Sequence, residues 1–172
     1  WNRYGPMSQI FRAPEMATFL AACLQISELH CYADPLAGLT SNILDPGQLF
    51  TWHFDTNDFA VTILVQQADS GGLFEYAPQI RSASNEGFHL VSKILNGSRH
   101  EVKTLDLRPG DLQIFRGRHS LHRVSRVSPE SCSRHAAIYA YTEKPGVVGR
   151  VERTTQLFGR VLVNEPGLFG VD

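Results

Sequence analysis

The sequence predicts a mainly β fold with flanking helices, of the β-sandwich or barrel kind. Seven or eight short β-like segments follow one another at close spacing between residues 48 and 142, and a helical pattern precedes them. Closely spaced short strands are typical of a sandwich or barrel, whereas a parallel α/β sheet alternates its strands with helices. We therefore expect one β core, at residues 48–142, within a single domain spanning residues 1–172.

The first elements come before this core. Residues 1–12 carry no clear periodicity. From Pro14 to about Leu29, apolar residues recur at helical spacing, and a proline suits the first turn of a helix. The segment Asp34–Gly47 contains two prolines and two glycines, so we expect a loop.

Strands and two further helices are expected in and after the core. β-Branched and apolar runs predict the strands. They are Gln48–Asp55, Phe59–Gln66, Leu73–Ala77, Val102–Leu107, Asp111–Phe115, His119–Val127 and Ala136–Tyr141. Helical spacing predicts a helix at Ser84–Leu95 and a weaker one from Val151 to Val161.

Composition and charge exclude several kinds of partner. Hydrophobic residues make up 42% and charged residues 19%, as in ordinary globular proteins. The net charge of −1 gives no basic excess for nucleic acid or an anionic membrane. No apolar run reaches the roughly 20 residues of a membrane span, and no basic leader precedes Met16–Leu24. We expect a small-molecule partner, with neither nucleic acid nor membrane, and the sequence does not specify the oligomeric state.

The cysteines and the first residue bear on compartment and completeness. Cys23, Cys31 and Cys132 are odd in number and lack C-x-x-C spacing. Neither a disulfide framework nor a zinc site is expected, and a reducing cytoplasm is the default location. The sequence begins at Trp1 instead of a methionine, which is compatible with a missing N-terminal part.

Two candidate metal ligands lie two residues apart in the first predicted strand. Residues i and i+2 of a strand point to the same face, so the imidazole of His53 and the carboxylate of Asp55 are expected to converge. Such a pair supplies two ligands of a 2-His-1-carboxylate iron site. An exposed polar pair is the alternative. Against it, Trp52, Phe54 and Phe59 surround the two residues with apolar surface, where polar groups need partners.

A third ligand and a cation are expected from later strands. His122 and His119 are rival ligands, and because they lie three residues apart they face opposite sides of a regular strand. Arg134 opens the next run, and its planar guanidinium suits bidentate binding of a carboxylate and stays charged when desolvated. Arg123 and Arg126 are its competitors.

Together, His53-Phe-Asp55, the later His122-Arg-Val and Arg134 resemble the HxD…H…R pattern of the Fe(II)/2-oxoglutarate-dependent dioxygenases. The resemblance covers about residues 48–142 and favours His122 over His119. It implies a double-stranded β-helix, or jelly roll, of the cupin-like kind. It also implies iron bound by the two histidines and the aspartate, with Arg134 binding the far carboxylate of 2-oxoglutarate.

Three segments carry a narrower resemblance. Residues 53–62, 71–78 and 109–112 resemble a bacterial branch of small-molecule hydroxylases, akin to oxygenases and halogenases that act on free amino acids. This implies that Fe(II), 2-oxoglutarate and dioxygen are used to hydroxylate a small molecule, with an amino acid or its derivative as the expected class. Halogenating members have a small residue in place of the carboxylate ligand, so the presence of Asp55 favours hydroxylation.

Two other functions compete with this interpretation, and three other polar residues have candidate roles. A cupin-like metal enzyme without 2-oxoglutarate would have no use for Arg134, and an inactive β-sandwich binding module would have no use for three convergent ligands. Glu75 and Arg81 are candidates for contact with a charged substrate, although a surface position is the simpler expectation. Asp111 is expected to bind the backbone of its own turn.

Overall fold

The computed structural model of the protein describes residues 4–57 and 59–162. The chain divides into two compact units. One comprises Trp1–Ser41 and Ile138–Asp172, and the other comprises Asn42–Ala137. His53, Asp55, His122 and Arg134 all belong to the second unit.

The described residues form a mainly antiparallel β structure with a few flanking helices. The helices are α1 (Pro6–Arg12), α2 (Pro14–Leu24), α3 (Phe88–Leu95) and α4 (Val151–Phe158). The strands are β1 (His30–Cys31), β2 (Leu39–Leu44), β3 (Phe50–His53), β4 (Phe59–Gln66), β5 (Phe74–Ala77), β6 (Lys103–Leu105), β7 (Leu112–Phe115), β8 (Leu121–Val124) and β9 (Arg134–Thr142). In this part of the chain, no helix is both long enough and apolar enough to cross a membrane.

The first unit is built around two buried tyrosines near the end of β9. β1 pairs antiparallel with that end, placing His30 opposite Thr142 and Cys31 opposite Tyr141. The rings of Tyr139 and Tyr141 both contact the ring of Phe11, with centroids 5.6 and 5.3 Å away. Both tyrosines are fully buried. This aromatic cluster therefore forms the core of the unit.

The second unit contains strands of two sheets. In one sheet, β4 pairs antiparallel with β7. The other sheet has the order β3-β8-β5-β6. One apolar cluster consists of Leu44, Ala68, Phe74, Val124 and Val127. A second joins α3 to the sheet and consists of Ala77, Ile80, Ile94 and Leu121. These clusters hold β5 and β8 in place, and β8 carries His122.

Three predicted elements differ from the observed ones near the N-terminus. The helix predicted to about Leu29 ends at Leu24, because Gln25 takes a left-handed conformation (φ 57°) and its N–H bonds back to the helix. Residues 6–12, which show no clear periodicity in the sequence, form α1, which also begins with a proline. The predicted loop Asp34–Gly47 contains β2, since its turn-forming residues all lie outside Leu39–Leu44.

Strand β3 is shorter than predicted, and this matters for the site. The predicted strand Gln48–Asp55 is reduced to Phe50–His53, so Asp55 lies in the loop that follows. Contrary to the prediction, His53 and Asp55 therefore do not lie on one face of the same strand. In contrast, β4 is observed at Phe59–Gln66, as predicted.

Candidate metal centre

His53 and His122 are brought together by strand pairing. His53 is the last residue of β3 and lies opposite His122 of β8 in the antiparallel register. Directly opposite residues of an antiparallel pair place their side chains on the same face of the sheet. The two ring centroids are 4.1 Å apart. The register thus unites two imidazoles that are far apart in the sequence.

Asp55 reaches the two imidazoles from the loop after β3. Its Oδ1 atom lies 3.7 Å from Nε2 of His53 and 3.5 Å from Nε2 of His122. The three candidate ligand atoms all lie within 4.8 Å of one another. These separations exceed the usual hydrogen-bond length. The arrangement therefore leaves the three donor atoms facing a common point without direct hydrogen bonds between them.

Backbone carbonyls orient both imidazoles. Nδ1 of His53 lies 2.8 Å from the carbonyl oxygen of Thr51, and Nδ1 of His122 lies 2.8 Å from that of Ser120. A carbonyl only accepts hydrogen bonds, so each Nδ1 is the donor and Nε2 is the ring nitrogen left to bind a metal. Metal-binding histidines are commonly held in this way by a partner of the second ring nitrogen. The chemistry of the donor set therefore fits a divalent cation.

The carboxylate of Asp55 also has an orphaned atom. Its Oδ2 is buried and forms no hydrogen bond among the described residues. A buried carboxylate oxygen without a partner is unfavourable in the absence of a compensating positive charge. A cation held by Asp55 and the two imidazoles would supply that charge. This observation supports the same fit.

Aromatic rings pack against both imidazoles. The ring of Phe74 stacks against His122 at 5.7 Å between centroids, and the ring of Phe115 meets His122 edge-on at 5.0 Å. Phe50 meets the ring of His53 edge-on at 4.5 Å. His122 is only 4% exposed. The rings fix the imidazole planes and lower the local dielectric, which strengthens electrostatic interactions.

Arg134 is a buried cation in the same unit. It is the first residue of β9 and is 5% exposed. Burial lowers the pKa of its guanidinium, because desolvation disfavours the charged form. Within residues 4–57 and 59–162, its guanidinium has no hydrogen-bond or ion-pair partner. An arginine in this state is a strong candidate for binding an anionic ligand.

The stem of Arg134 occupies space left by a glycine. A Cβ atom on Gly72 would lie 3.1 Å from Cδ of Arg134 and 3.3 Å from Cγ2 of Val127. Val127 belongs to the apolar cluster that also contains Phe74, whose ring stacks on His122. The stem of Arg134 and the ring of His122 thus border one apolar cluster.

A family model described as Halogenase D matches residues 3–155 of this chain. The chain belongs to the halogenase D family. The predicted resemblance to Fe(II)/2-oxoglutarate oxygenases is confirmed. Among curated proteins, none matches this chain.

Solved structures with a similar fold include the following three. A 2OG-Fe(II) oxygenase family oxidoreductase from Burkholderia pseudomallei is 16% identical, with TM-score 0.58 over 81% of this chain and 56% of its own. AviO1 from Streptomyces viridochromogenes Tue57 is 16% identical, with TM-score 0.59 over 84% and 63%. EctD from S. alaskensis is 17% identical, with TM-score 0.59 over 87% and 59%. At these identities the likeness concerns the fold alone, and this chain spans less than two thirds of each of them.

The rival residues of this halogenase D family chain are engaged elsewhere. His119 lies before β8 and is not part of the three-residue group. Nε of Arg123 donates to Oε2 of Glu75 at 2.5 Å. Arg126 donates to the carbonyl oxygen of Gly47. Of Arg123, Arg126 and Arg134, only Arg134 is buried and has no hydrogen-bond or ion-pair partner in the described part of the chain.

Two other candidates have structural contacts that account for them. Glu75 is ion-paired to Arg123 and lies 3.8 Å from Nη1 of Arg99. The guanidinium of Arg81 lies 4.1 Å from the ring centroid of Phe54. Neither residue is directed to a substrate by these contacts.

Asp111, the remaining candidate, binds the backbone of its own turn. Its Oδ2 accepts a hydrogen bond from the backbone N–H of Arg108, as expected.

The carbonyls of Thr51 and Ser120, which orient the imidazoles, could not be predicted from the sequence because every residue has a backbone carbonyl. The spacing of each, two residues before a candidate ligand histidine, is the only signal that could have found them.

Proposed function

We propose that this halogenase D family chain is a non-haem iron oxygenase built on a double-stranded β-helix. It would couple the oxidative decarboxylation of 2-oxoglutarate to hydroxylation of a small molecule, with an amino acid or its derivative as the substrate class. The observation that carries the proposal is the convergence of one carboxylate and two imidazoles, all within 4.8 Å. Two histidines and one carboxylate leave coordination positions open for cosubstrates on a ferrous ion.

His53, Asp55 and His122 are the residues that would hold the iron. The carbonyls of Thr51 and Ser120 would accept a hydrogen bond from Nδ1 of each imidazole, which leaves each Nε2 to bind the metal. When bound, the iron and 2-oxoglutarate would activate dioxygen, with one oxygen atom entering succinate and the other a substrate C–H bond, while CO₂ is released. The rings packed on the imidazoles would exclude bulk water from this chemistry.

Arg134 is the proposed anchor for 2-oxoglutarate. Its buried guanidinium lacks a partner among the described residues, and a carboxylate would accept two parallel hydrogen bonds from it. A buried unpaired charge is unfavourable, so binding of an anion there would be stabilised by relief of that penalty. A cupin-like metal enzyme that does not use 2-oxoglutarate has no need for this residue.

Hydroxylation and halogenation are distinguished by Asp55. The family description names a halogenase, which favours halogenation as the second candidate. A halide bound to the metal needs the ligand position that the carboxylate of Asp55 would fill. Since Asp55 is present with its Oδ1 facing both imidazoles, hydroxylation is the function we propose.

A spectroscopic experiment tests the metal and the cosubstrate together. Under anaerobic conditions, Fe(II) and 2-oxoglutarate should give a visible metal-to-ligand charge-transfer band. We expect His53→Ala to abolish the band and Arg134→Gln to weaken it, while Arg126→Gln, an exposed arginine bonded to a backbone carbonyl, leaves it unchanged. A band indifferent to 2-oxoglutarate would favour the cupin-like alternative, and absence of metal uptake would favour an inactive binding module.

A second experiment tests substrate and reaction type. The protein with Fe(II), 2-oxoglutarate, dioxygen and chloride is incubated with a panel of free amino acids, and succinate release is measured. Substrates that stimulate release are then analysed by mass spectrometry. A product heavier by one oxygen atom supports hydroxylation, whereas a chlorinated product would show that the inference from Asp55 is wrong.

A further inference from the structure

The loop that carries Asp55 is held by contacts outside the strand ladder. Because β3 ends at His53, its hydrogen bonds do not fix the position of Asp55. Instead, the backbone N–H of Asp55 donates to the carbonyl oxygen of Gly117 at 3.1 Å. One residue later in each segment, Nη2 of Arg118 donates to the carbonyl oxygen of Thr56 at 2.5 Å. Gly117 and Arg118, in the connection between β7 and β8, therefore bind this loop at two consecutive residues.

Arg81 provides a third contact to this loop and to the segment that binds it. Nε of Arg81 donates to the carbonyl oxygen of Arg118 at 2.6 Å, and its guanidinium lies 4.1 Å from the ring centroid of Phe54. A guanidinium over an aromatic face is attracted by the ring quadrupole. Arg81 thus contacts both the loop before Asp55 and the segment that binds the loop.

The space beside Gly117 is occupied by the side chain of Asp55. Its φ lies outside the left-handed region, so its backbone conformation is open to other residues. A Cβ atom placed on Gly117 would overlap Oδ2 of Asp55 and lie 2.6 Å from Cγ and 3.0 Å from Cβ of the same residue. These three atoms are the nearest neighbours of that position. The carboxylate of Asp55 therefore occupies the space that a methyl group at position 117 would need.

The position of Oδ2 agrees with this packing. The atom is buried and has no hydrogen-bond partner among the described residues, and it lies where a side chain of residue 117 would be. With Oδ2 against the glycine, Oδ1 is the oxygen directed at His53 and His122. The close approach of Gly117 thus sets the orientation of the carboxylate, with one oxygen beside the glycine and the other towards the imidazoles.

We infer that Gly117 and Arg118 are positioning residues for the metal-binding carboxylate. Gly117 provides the space that sets the orientation of Asp55, and Arg118 fixes the loop through Thr56. This inference rests on the proposed metal site. It adds an explanation of how the third ligand, Asp55, is oriented. It follows that Asp55 and Gly117 act as a pair, so the effect of a side chain at 117 depends on the residue at 55.

Binding of Co(II), in place of Fe(II), tests the inference without turnover. Calorimetry gives the affinity, and the visible absorption of Co(II) reports its ligand set. We expect Gly117→Ala to weaken Co(II) binding by about 10- to 100-fold, and Arg118→Gln by about tenfold, as for other residues that orient metal ligands. Both changes should alter the absorption spectrum. Arg118→Lys, which can still donate to Thr56, should recover part of the affinity.

The matched control is Arg126→Gln. Arg126 is exposed, like Arg118, and also donates to a backbone carbonyl, but its partner is Gly47. We expect this variant to bind Co(II) as the unaltered protein does, with the same spectrum. A loss equal to that of Arg118→Gln would overturn the assignment, because it would reflect a general effect of removing a surface arginine.

A double-mutant cycle separates this inference from the metal site itself. In an Asp55→Gly background, Gly117→Ala should weaken Co(II) binding no further, because the atoms that it displaces are gone. Additive losses would overturn the pairing of the two residues. If the unaltered protein binds Co(II) and both Gly117→Ala and Arg118→Gln bind it equally well, the positioning role is wrong while the metal site stands. If the unaltered protein binds no Co(II), the metal site fails first.

Discussion

The imidazoles of His53 and His122 face each other across the β3–β8 pair, with ring centroids 4.1 Å apart. Each is oriented by the carbonyl oxygen two residues earlier in its own segment, at 2.8 Å in both cases. The two halves of this arrangement are alike although one histidine ends its strand and the other lies within its strand. The antiparallel register therefore makes a two-histidine face, and a loop has to supply the carboxylate.

The first prediction concerns the two rival histidines of the β7–β8 region. His122→Gln should abolish stoichiometric uptake of Fe(II), because it removes an Nε2 that faces Asp55. His119→Gln should leave uptake unchanged, since His119 lies outside the three-residue group. Metal content after anaerobic loading and desalting is the measurement. Loss of iron in the His119 variant, with retention in the His122 variant, would reverse the assignment.

The outcome for the site shows what local patterns can and cannot reveal. The order of the motif residues in the sequence indicates His53 and His122. That order does not depend on where each strand begins or ends. Asp55 was expected to share a strand face with His53, yet β3 ends too early for this. Its actual position depends on Gly117, which lies 62 residues further along the chain, and no local periodicity encodes such a contact.

The fold shows the same division. β4 was predicted residue for residue because its run of apolar and β-branched side chains is nearly uninterrupted and its first three residues are buried. β2 was missed because its partly exposed residues lie between turn-forming prolines and glycines. Burial against a partner strand stabilises β2, and that partner cannot be read from the segment itself.

The second prediction is that Arg134 lowers the stability of the protein when no ligand is bound. Replacing it with methionine, which is of similar length and uncharged, should raise the free energy of unfolding by about 1–3 kcal/mol, because a buried charge without a partner is removed. The same variant should lose stabilisation by 2-oxoglutarate in the presence of Mn(II), since the proposed anchor is gone. Thermal melting with and without 2-oxoglutarate measures both effects. A lower melting temperature together with an unchanged response to 2-oxoglutarate would contradict the prediction.

The third prediction concerns the opposite case, an arginine that has its partner. Nε of Arg123 donates to Glu75 at 2.5 Å, and the side chain of Glu75 is 16% exposed. Glu75→Gln should lower the free energy of unfolding by about 1.5–3 kcal/mol, because a charge-assisted hydrogen bond is lost and Arg123 is left without its counter-ion. Urea unfolding at neutral pH measures the change. If Glu75 instead serves a substrate, stability should remain the same while substrate-stimulated succinate release falls.

The last prediction follows from the buried tyrosines of the first unit. Burial raises the pKa of Tyr139 to about 12 and raises that of Tyr141 as well. A tyrosine in the unfolded chain ionises near pH 10, so between about pH 10 and 12 the unfolded state holds fewer protons than the folded state. The stabilising contribution is therefore fully present below pH 10 and is lost as the pH rises through that window. Tyr139→Phe should reduce the slope of unfolding free energy against pH by about 1.4 kcal/mol per pH unit there.

Tyr139 suits this test better than Tyr141. The hydroxyl of Tyr141 donates to the buried carbonyl oxygen of Phe11 at 2.9 Å, so its removal would also leave that carbonyl without a partner. The hydroxyl of Tyr139 donates only to the thioether of Met7, at 3.1 Å, which is a weak acceptor. Met7→Leu is the control, because it removes the acceptor and retains the phenol, and it should keep the slope of the unaltered protein. Urea unfolding at a series of pH values from about 8 to 12 gives the slopes, and parallel curves for Tyr139→Phe and the unaltered protein would show that burial of this phenol does not govern the alkaline loss of stability.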